Sequence, residues 1–199
     1  MTKFDVIIAD PPWAFSDGLK KMKRPVRRSA ASQYGVMTPA QVANVPIVDI
    51  VNPMGCVLAL WVPSSMLVHG LDVMRAWGFT FKGTYVWVKT KRKIKDPNNQ
   101  LAFGMGRLFR QAHEIALIGT AGKSVYPTLK DRAQRSVLLA PAMGHSRKPE
   151  GLHDSLELMY PGANNLELFA RRVRPGWTCL GDAIDGKDIT VAVQELILV

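Results

Sequence analysis

Residues 10–13 read Asp-Pro-Pro-Trp and come directly after the apolar run at residues 5–9. Each proline fixes its own φ and removes an N–H donor, so the pair drives the chain into an extended turn with outward carbonyls. The Asp10 carboxylate and the Pro11 carbonyl then offer two acceptors beside the aromatic ring of Trp13. An amino group on an aromatic ring presents two N–H donors and a lone pair delocalised into that ring. Accepting both hydrogens pulls the nitrogen toward tetrahedral geometry and localises the lone pair for attack on an electrophile. No strong base is required, because the amine proton becomes acidic once the new bond forms. Taken alone, the tetrapeptide also fits a rigid Pro-Pro turn that ends a strand.

Elements that could position this turn recur along the chain. Short apolar, β-rich runs occupy residues 4–9, 56–62, 84–88, 114–118, 136–139, 166–170, 178–181 and 189–193. Several are almost continuous, the pattern of strands buried on both faces of a mostly parallel sheet. Between them, Leu67, Leu71, Met74 and Trp77 fall at helical spacing, with Ser64 or Ser65 as cap and Gly78 as stop. A second stripe, Leu152, Leu156 and Met159, opens at Pro149 and ends at Pro161-Gly162, and Thr38-Pro39 opens a third helix that Pro46 shortens. Strands alternating with helices predict an α/β three-layer sandwich, read here as one domain over residues 1–199.

The charge is concentrated. Lys and Arg outnumber Asp and Glu by 26 to 16, a net +10. Lys20, Lys21, Lys23, Arg24, Arg27 and Arg28 cluster with no acid among them. Lys89, Lys91, Arg92, Lys93 and Lys95 form a second group, with Arg107 and Arg110 soon after. Both groups lie in long polar segments, near residues 14–34 and 90–107, that come after predicted strands. Loops of that length are usually functional or disordered, and their cations suit a polyanion whose condensed counterions are released on contact. A solvated basic loop is the plainer reading.

Other classes find no support. The longest apolar stretch, near residues 56–62, falls between Pro53 and Pro63, short of the ~18 residues of a membrane span. No signal-peptide core precedes residues 3–10, so a soluble, cytoplasmic domain without membrane contact is expected. Cys56 and Cys179 sit singly in apolar runs and read as reduced core thiols; no metal site is expected. Gly104-Met105-Gly106 lacks the third glycine of a dinucleotide fingerprint.

The run VIIADPPW, succeeded in order by LALWVP, AWGF, TYVWVK, FRQAHEIALIG, HSRKPE and LELFARRVRPGWTCLGDA, resembles the MT-A70 family of S-adenosylmethionine-dependent adenine methyltransferases over about residues 4–185. The resemblance implies a Rossmann-like class I methyltransferase fold in circularly permuted order, with the catalytic loop first and the cofactor-binding half last. It implies Asp10, Pro11, Pro12 and Trp13 as the catalytic set, with Trp13 stacking on the base. Lys148 would pair with the cofactor's methionine carboxylate. Glu167, Phe169 and Arg171 would line its ribose and methionine portions, Asp182 and Ala183 its adenosine end, with Asp10 alongside. Glu114, Arg110, His145 and Arg147 would face substrate, together with the two basic clusters; His113 reads as a strand-edge histidine.

The implied activity is methyl transfer from S-adenosylmethionine, leaving S-adenosylhomocysteine, to the 6-amino group of adenine in nucleic acid, with DNA expected over RNA. A duplex substrate would have to release the target adenine from its stack. A non-catalytic nucleic-acid-binding subunit is the competing class, against which the intact Asp-Pro-Pro-Trp loop and Lys148 speak. A homodimer or a partner subunit would complete the nucleic-acid channel; recognition sequence and oligomeric state are left open.

Overall fold

The computed structural model describes residues 2–14, 35–93, 99–104, 108–142 and 147–198. Among these, seven strands form one sheet in the order β5-β3-β4-β2-β1-β6-β7. They are β1 (Val6–Ala9), β2 (Cys56–Val62), β3 (Thr80–Thr90), β4 (His113–Ala121), β5 (Val137–Pro141), β6 (Asn165–Leu168) and β7 (Trp177–Leu180). Pairing is parallel for β1 with β2 and β6, for β3 with β5 and for β6 with β7; β4 runs antiparallel to both of its neighbours.

The continuous apolar runs are explained by cover on both faces. Every residue of β1 and β2 is buried. Ile7, Ala9, Leu58, Leu60 and Val62 point into a core closed by helices α1 (Pro39–Ala43), α2 (Leu67–Ala76) and α5 (Ile189–Leu198). Val6, Ile8, Val57, Ala59 and Trp61 point the other way, into a core closed by Leu152 and Leu156 of α3 (Gly151–Met159). Helix, sheet and helix are the three layers of an α/β sandwich, as the alternation of patterns predicts. Each fully buried aliphatic side chain, such as Ile7 or Leu58, contributes about 1.5–3 kcal/mol through apolar area removed from water.

Residues 189–193, read from sequence as a strand, are helical instead. Asp188 Oδ1 accepts the N–H groups of Thr190 (2.8 Å) and Val191 (3.4 Å), which caps the first turn. Ile189, Ala192 and Val193 then fall on one buried face, so the β-branched residues obey the packing rather than their propensity. Helix α2 starts differently too: a 3-10 turn over Ser64–Met66 leads into it, and no serine side chain caps it. Gly78 does stop it, at φ +80°. Cys56 is buried, but Cys179 is only half-buried; both are free thiols.

The registers align the functional edge. Ala9 lies opposite Leu60 and Leu168, Val62 opposite Ile115, Val88 opposite His113, and Thr90 opposite Pro141. The segments after β1, β3, β5, β6 and β7, and the one before β4, therefore emerge along one edge, where open α/β sheets place their ligand sites. None of the described helices is long and apolar enough to cross a membrane.

Candidate active site

Asp10 leaves the carboxyl end of β1 with its N–H on the Leu168 carbonyl (3.4 Å). The two prolines shape the turn beyond it. The Pro11 carbonyl accepts the Trp13 N–H at 2.9 Å in a tight three-residue turn, and the Pro12 carbonyl accepts the Met37 N–H at 2.8 Å. Each carbonyl keeps a second lone pair. Trp13 departs from the sequence reading. Its ring is 4% exposed and joins the core, and its Nε1 donates to the Trp61 carbonyl at 2.9 Å. The indole pins the turn to β2, and packing of the residue into the core takes away the open stacking face expected of it.

The Asp10 side chain enters a chain of alternating charge. Lys148 Nζ lies 2.8 Å from both Asp10 oxygens and 3.2 Å from Glu114 Oε2. Glu114 Oε1 accepts from Lys89 Nζ at 2.5 Å. The two lysines also sit over aromatic rings, Lys148 over Trp61 and Lys89 over Trp87. Burial pushes the Glu114 carboxyl up, but Lys148 and Lys89 outweigh it and hold the group below the ordinary carboxylate range. Burial pulls the Lys148 ammonium down, and Asp10 and Glu114 more than reverse that, leaving it above the ordinary lysine value. Lys148 is thus paired with two carboxylates, one on each side of its ammonium.

On the other side of Asp10 opens a cavity of about 490 Å³, within the size of small-ligand sites. Asp10, Pro12, Met37, Phe169, Arg171 and Asp182 line it, as do Gln41, Asn44, Lys187 and Asp188. Apolar surface from Met37, Phe169 and Ile189 is thus ringed by both signs of charge. Phe169 holds φ at +61°, the left-handed region that bulky residues rarely adopt. This turn at the end of β6 breaks the strand alternation and delivers the ring to the cavity. Outliers of this kind cluster at ligand clamps.

Gly181 completes that wall by close approach. A Cβ there would lie 2.4 Å from the Ala170 carbonyl oxygen and 3.0 Å from the Phe169 carbonyl carbon. Its backbone is extended, so the requirement is space alone. Gly181→Ala is expected to cost about 1–3 kcal/mol of stability by overpacking and to weaken ligand binding in the cavity. A thermal melt and a titration calorimetry series on the same variant check both.

The remaining sequence-predicted residues divide. Glu167 is on β6 but faces the α3 layer, its Oε2 3.1 Å from His153 Nε2; it does not line the cavity. The half-buried acid faces a histidine of the fold without a well-directed hydrogen bond, since alternation sends it opposite to Leu166 and Leu168. Ala183 is exposed in the short helix α4 (Asp182–Asp185) and also stays out of the cavity wall. Lys91 Nζ meets Asn99 at 2.6 Å, Arg92 Nε donates to the Ala142 carbonyl at 3.1 Å, and Lys93 is exposed. Arg110 lies over the Phe103 ring, and Arg147 is 4.0 Å from Glu150. Lys20, Lys21, Lys23, Arg24, Arg27, Arg28, Lys95, Arg107 and His145 lie outside the described residues.

Sequence reasoning missed Gln41, Asn44, Lys187 and Asp188 in the cavity wall, and Lys89 as the partner of Glu114. Asp188 carried a usable signal: an acid two residues before a threonine at a helix start. Among the described residues, no group of three or more His, Cys, Asp or Glu is arranged to hold a metal ion.

Residues 4–183 match the MT-A70 family. The chain is 28% identical over 201 residues to a fruit-fly (Drosophila melanogaster) protein named N(6)-adenosine-methyltransferase MT-A70-like, covering 98% of this chain and 29% of the relative. It is 27% identical over 191 residues to the human N(6)-adenosine-methyltransferase catalytic subunit METTL3, covering 92% and 29%. A Mycoplasma protein, type II methyltransferase M.MunI, is 26% identical over 206 residues, covering 96% of this chain and 82% of its own length. The chain thus spans less than a third of the length of the animal relatives.

Proposed function

This chain belongs to the MT-A70 family of adenine-N6 methyltransferases, and on that premise we propose that it methylates the 6-amino group of adenine in nucleic acid, DNA in preference to RNA. One observation carries the reading: Asp10 stands between a cofactor-sized cavity on one side and the Lys148–Glu114–Lys89 chain on the other.

The cavity fits S-adenosylmethionine, with apolar surface for an adenine and both charge signs for an amino-acid end. Arg171 suits its carboxylate and Asp182 suits ribose hydroxyls, while Lys187, paired with Glu195, and Asp188, whose Oδ1 caps α5, complete the polar wall. When bound, S-adenosylmethionine supplies an electrophilic methyl group on a sulfonium. Toward the nucleic acid, the Asp10 carboxylate and the free lone pair of the Pro11 carbonyl accept the two amine hydrogens. A carboxylate has about four acceptor sites, so Asp10 can hold the amine while retaining Lys148. As the nitrogen gains its methyl group, the proton it loses passes to an Asp10 oxygen or to solvent.

DNA is favoured because a type II methyltransferase is among the relatives and is matched over 82% of its own length. Adenosine is the ribonucleoside, so the names of the adenosine methyltransferases support RNA as the second reading. The human relative's description as a catalytic subunit supports a partner subunit, or a second copy, at the nucleic-acid channel. With Asp10 directly after the first strand and Phe169, Arg171 and Asp182 after the last two, we read the motif order as permuted.

The test is transfer of labelled methyl from S-adenosylmethionine to unmethylated genomic DNA and, in parallel, total RNA, with nucleoside mass spectrometry of both. N6-methyladenine in DNA is the expected product. Label confined to RNA would move the substrate and keep the chemistry. Cofactor binding without transfer to either would count for the binding-only class.

A further inference from the structure

Between β3 and β4, large apolar side chains stand in water beside cations. Leu108, Phe109 and Phe103 are 94%, 86% and 78% exposed, and Leu101 is half exposed. Single exposed apolar residues are ordinary, but a group of them on one crossing marks a contact surface. The crossing is tied down at its base: Lys91 N–H donates to the Gln100 carbonyl, Ala102 N–H to the Lys89 carbonyl, and Lys89 N–H to the Ala112 carbonyl, all within 2.8 Å. Lys89 is also the residue that holds Glu114. The group therefore stands at the same sheet edge as Asp10.

Its surroundings select the occupant. Arg92, Lys93 and Arg110 are exposed around it, and the Arg110 guanidinium lies 4.7 Å from the Phe103 ring centroid. A second copy of a chain with net charge +10 would bring these cations against their own counterparts. Stacked nucleobases flanked by phosphates offer an apolar face and the complementary charge together.

We infer that Leu108 and Phe109 form an apolar wedge that enters the base stack beside the target adenine while Arg92, Lys93 and Arg110 hold the flanking phosphates. This rests on the nucleic-acid reading of the preceding subsection. The wedge occupies the space left by an extruded base, offsetting part of the cost of unstacking it.

The experiment compares the whole protein with Leu108→Ser/Phe109→Ser and with Arg110→Gln. Probes are a duplex DNA and a duplex RNA of mixed sequence, each carrying one unpaired adenine, titrated at several salt concentrations. The serine pair is expected to bind roughly 10- to 100-fold more weakly with the salt slope unchanged, because apolar contacts release no counterions. Arg110→Gln is expected to lower the slope by about one. The preferred probe assigns the wedge to DNA or RNA. Affinity for S-adenosylmethionine, read by calorimetry, is expected to match wild type in the serine pair and reports that the fold is intact. Wild-type affinity in that variant would overturn the wedge, as would a change from dimer to monomer in sedimentation with nucleic-acid affinity retained. Failure of the wild type to bind either probe would instead sink the nucleic-acid reading itself.

Discussion

Asp10→Ala is expected to lower methyl transfer by about 10³-fold or more while S-adenosylmethionine affinity falls only a few-fold. The carboxylate is the charged acceptor proposed for the amine, and losing a positioned acid–base group typically costs 10²–10⁴-fold. The cavity keeps Phe169, Arg171, Asp182 and Gly181 in the variant, so most of the contacts proposed for the cofactor survive. Asp10→Asn separates charge from shape: it keeps one acceptor oxygen but loses the ion pair with Lys148. Single-turnover rates with calorimetric cofactor affinities on both variants would check this. Transfer retained by Asp10→Ala would remove Asp10 from the chemistry.

Lys148→Met should produce the largest loss of stability. Its side chain is only 16% exposed and is shared between Asp10 and Glu114. Removing it leaves two carboxylates facing each other with Lys89 alone to compensate. Stripping one partner from a buried charge group costs about 3–5 kcal/mol. The low end applies here because Glu114 retains some solvent contact, and for a chain of this size that is roughly a 10 °C drop in melting temperature.

The pH dependence has a definite sign. Glu114 is depressed in the folded state, so its contribution is full above the unfolded carboxylate value and is lost as pH falls through the folded value. Lys148 is raised, so its contribution is full below the unfolded lysine value and is lost as pH rises through the folded one. Wild type should therefore be steady between these limits and weaken in acid and in strong base. Glu114→Gln should flatten the acid limb, and Lys148→Met both. Melts across the pH range give the answer, and an unchanged acid limb in Glu114→Gln would discount the group as a stabilising ion pair.

The strands and the turn that carries Asp10 are legible from the order of residues alone. Buried strands read as continuous apolar runs, and two prolines in succession permit little but an extended turn; both depend on near neighbours along the chain. The run at residues 56–62 coincides with β2 for the same reason. Helix α5 escaped because its β-branched residues resemble a strand until the core behind Ile189 and Val193 is known.

The site itself is a product of long-range packing. Asp10 and Lys148 are 138 residues apart, and only the sheet order brings β1, β4 and the segment before α3 to one edge. Alternation along β6 sends Glu167 opposite to its leucines, but which layer covers that face depends on where α3 crosses. Trp13 shows the same division. Its place after the prolines was legible, whereas the Trp61 carbonyl that claims its indole N–H lies 48 residues away. Steric and periodic rules act over a few residues, while burial and ion pairing are set by whichever distant element arrives.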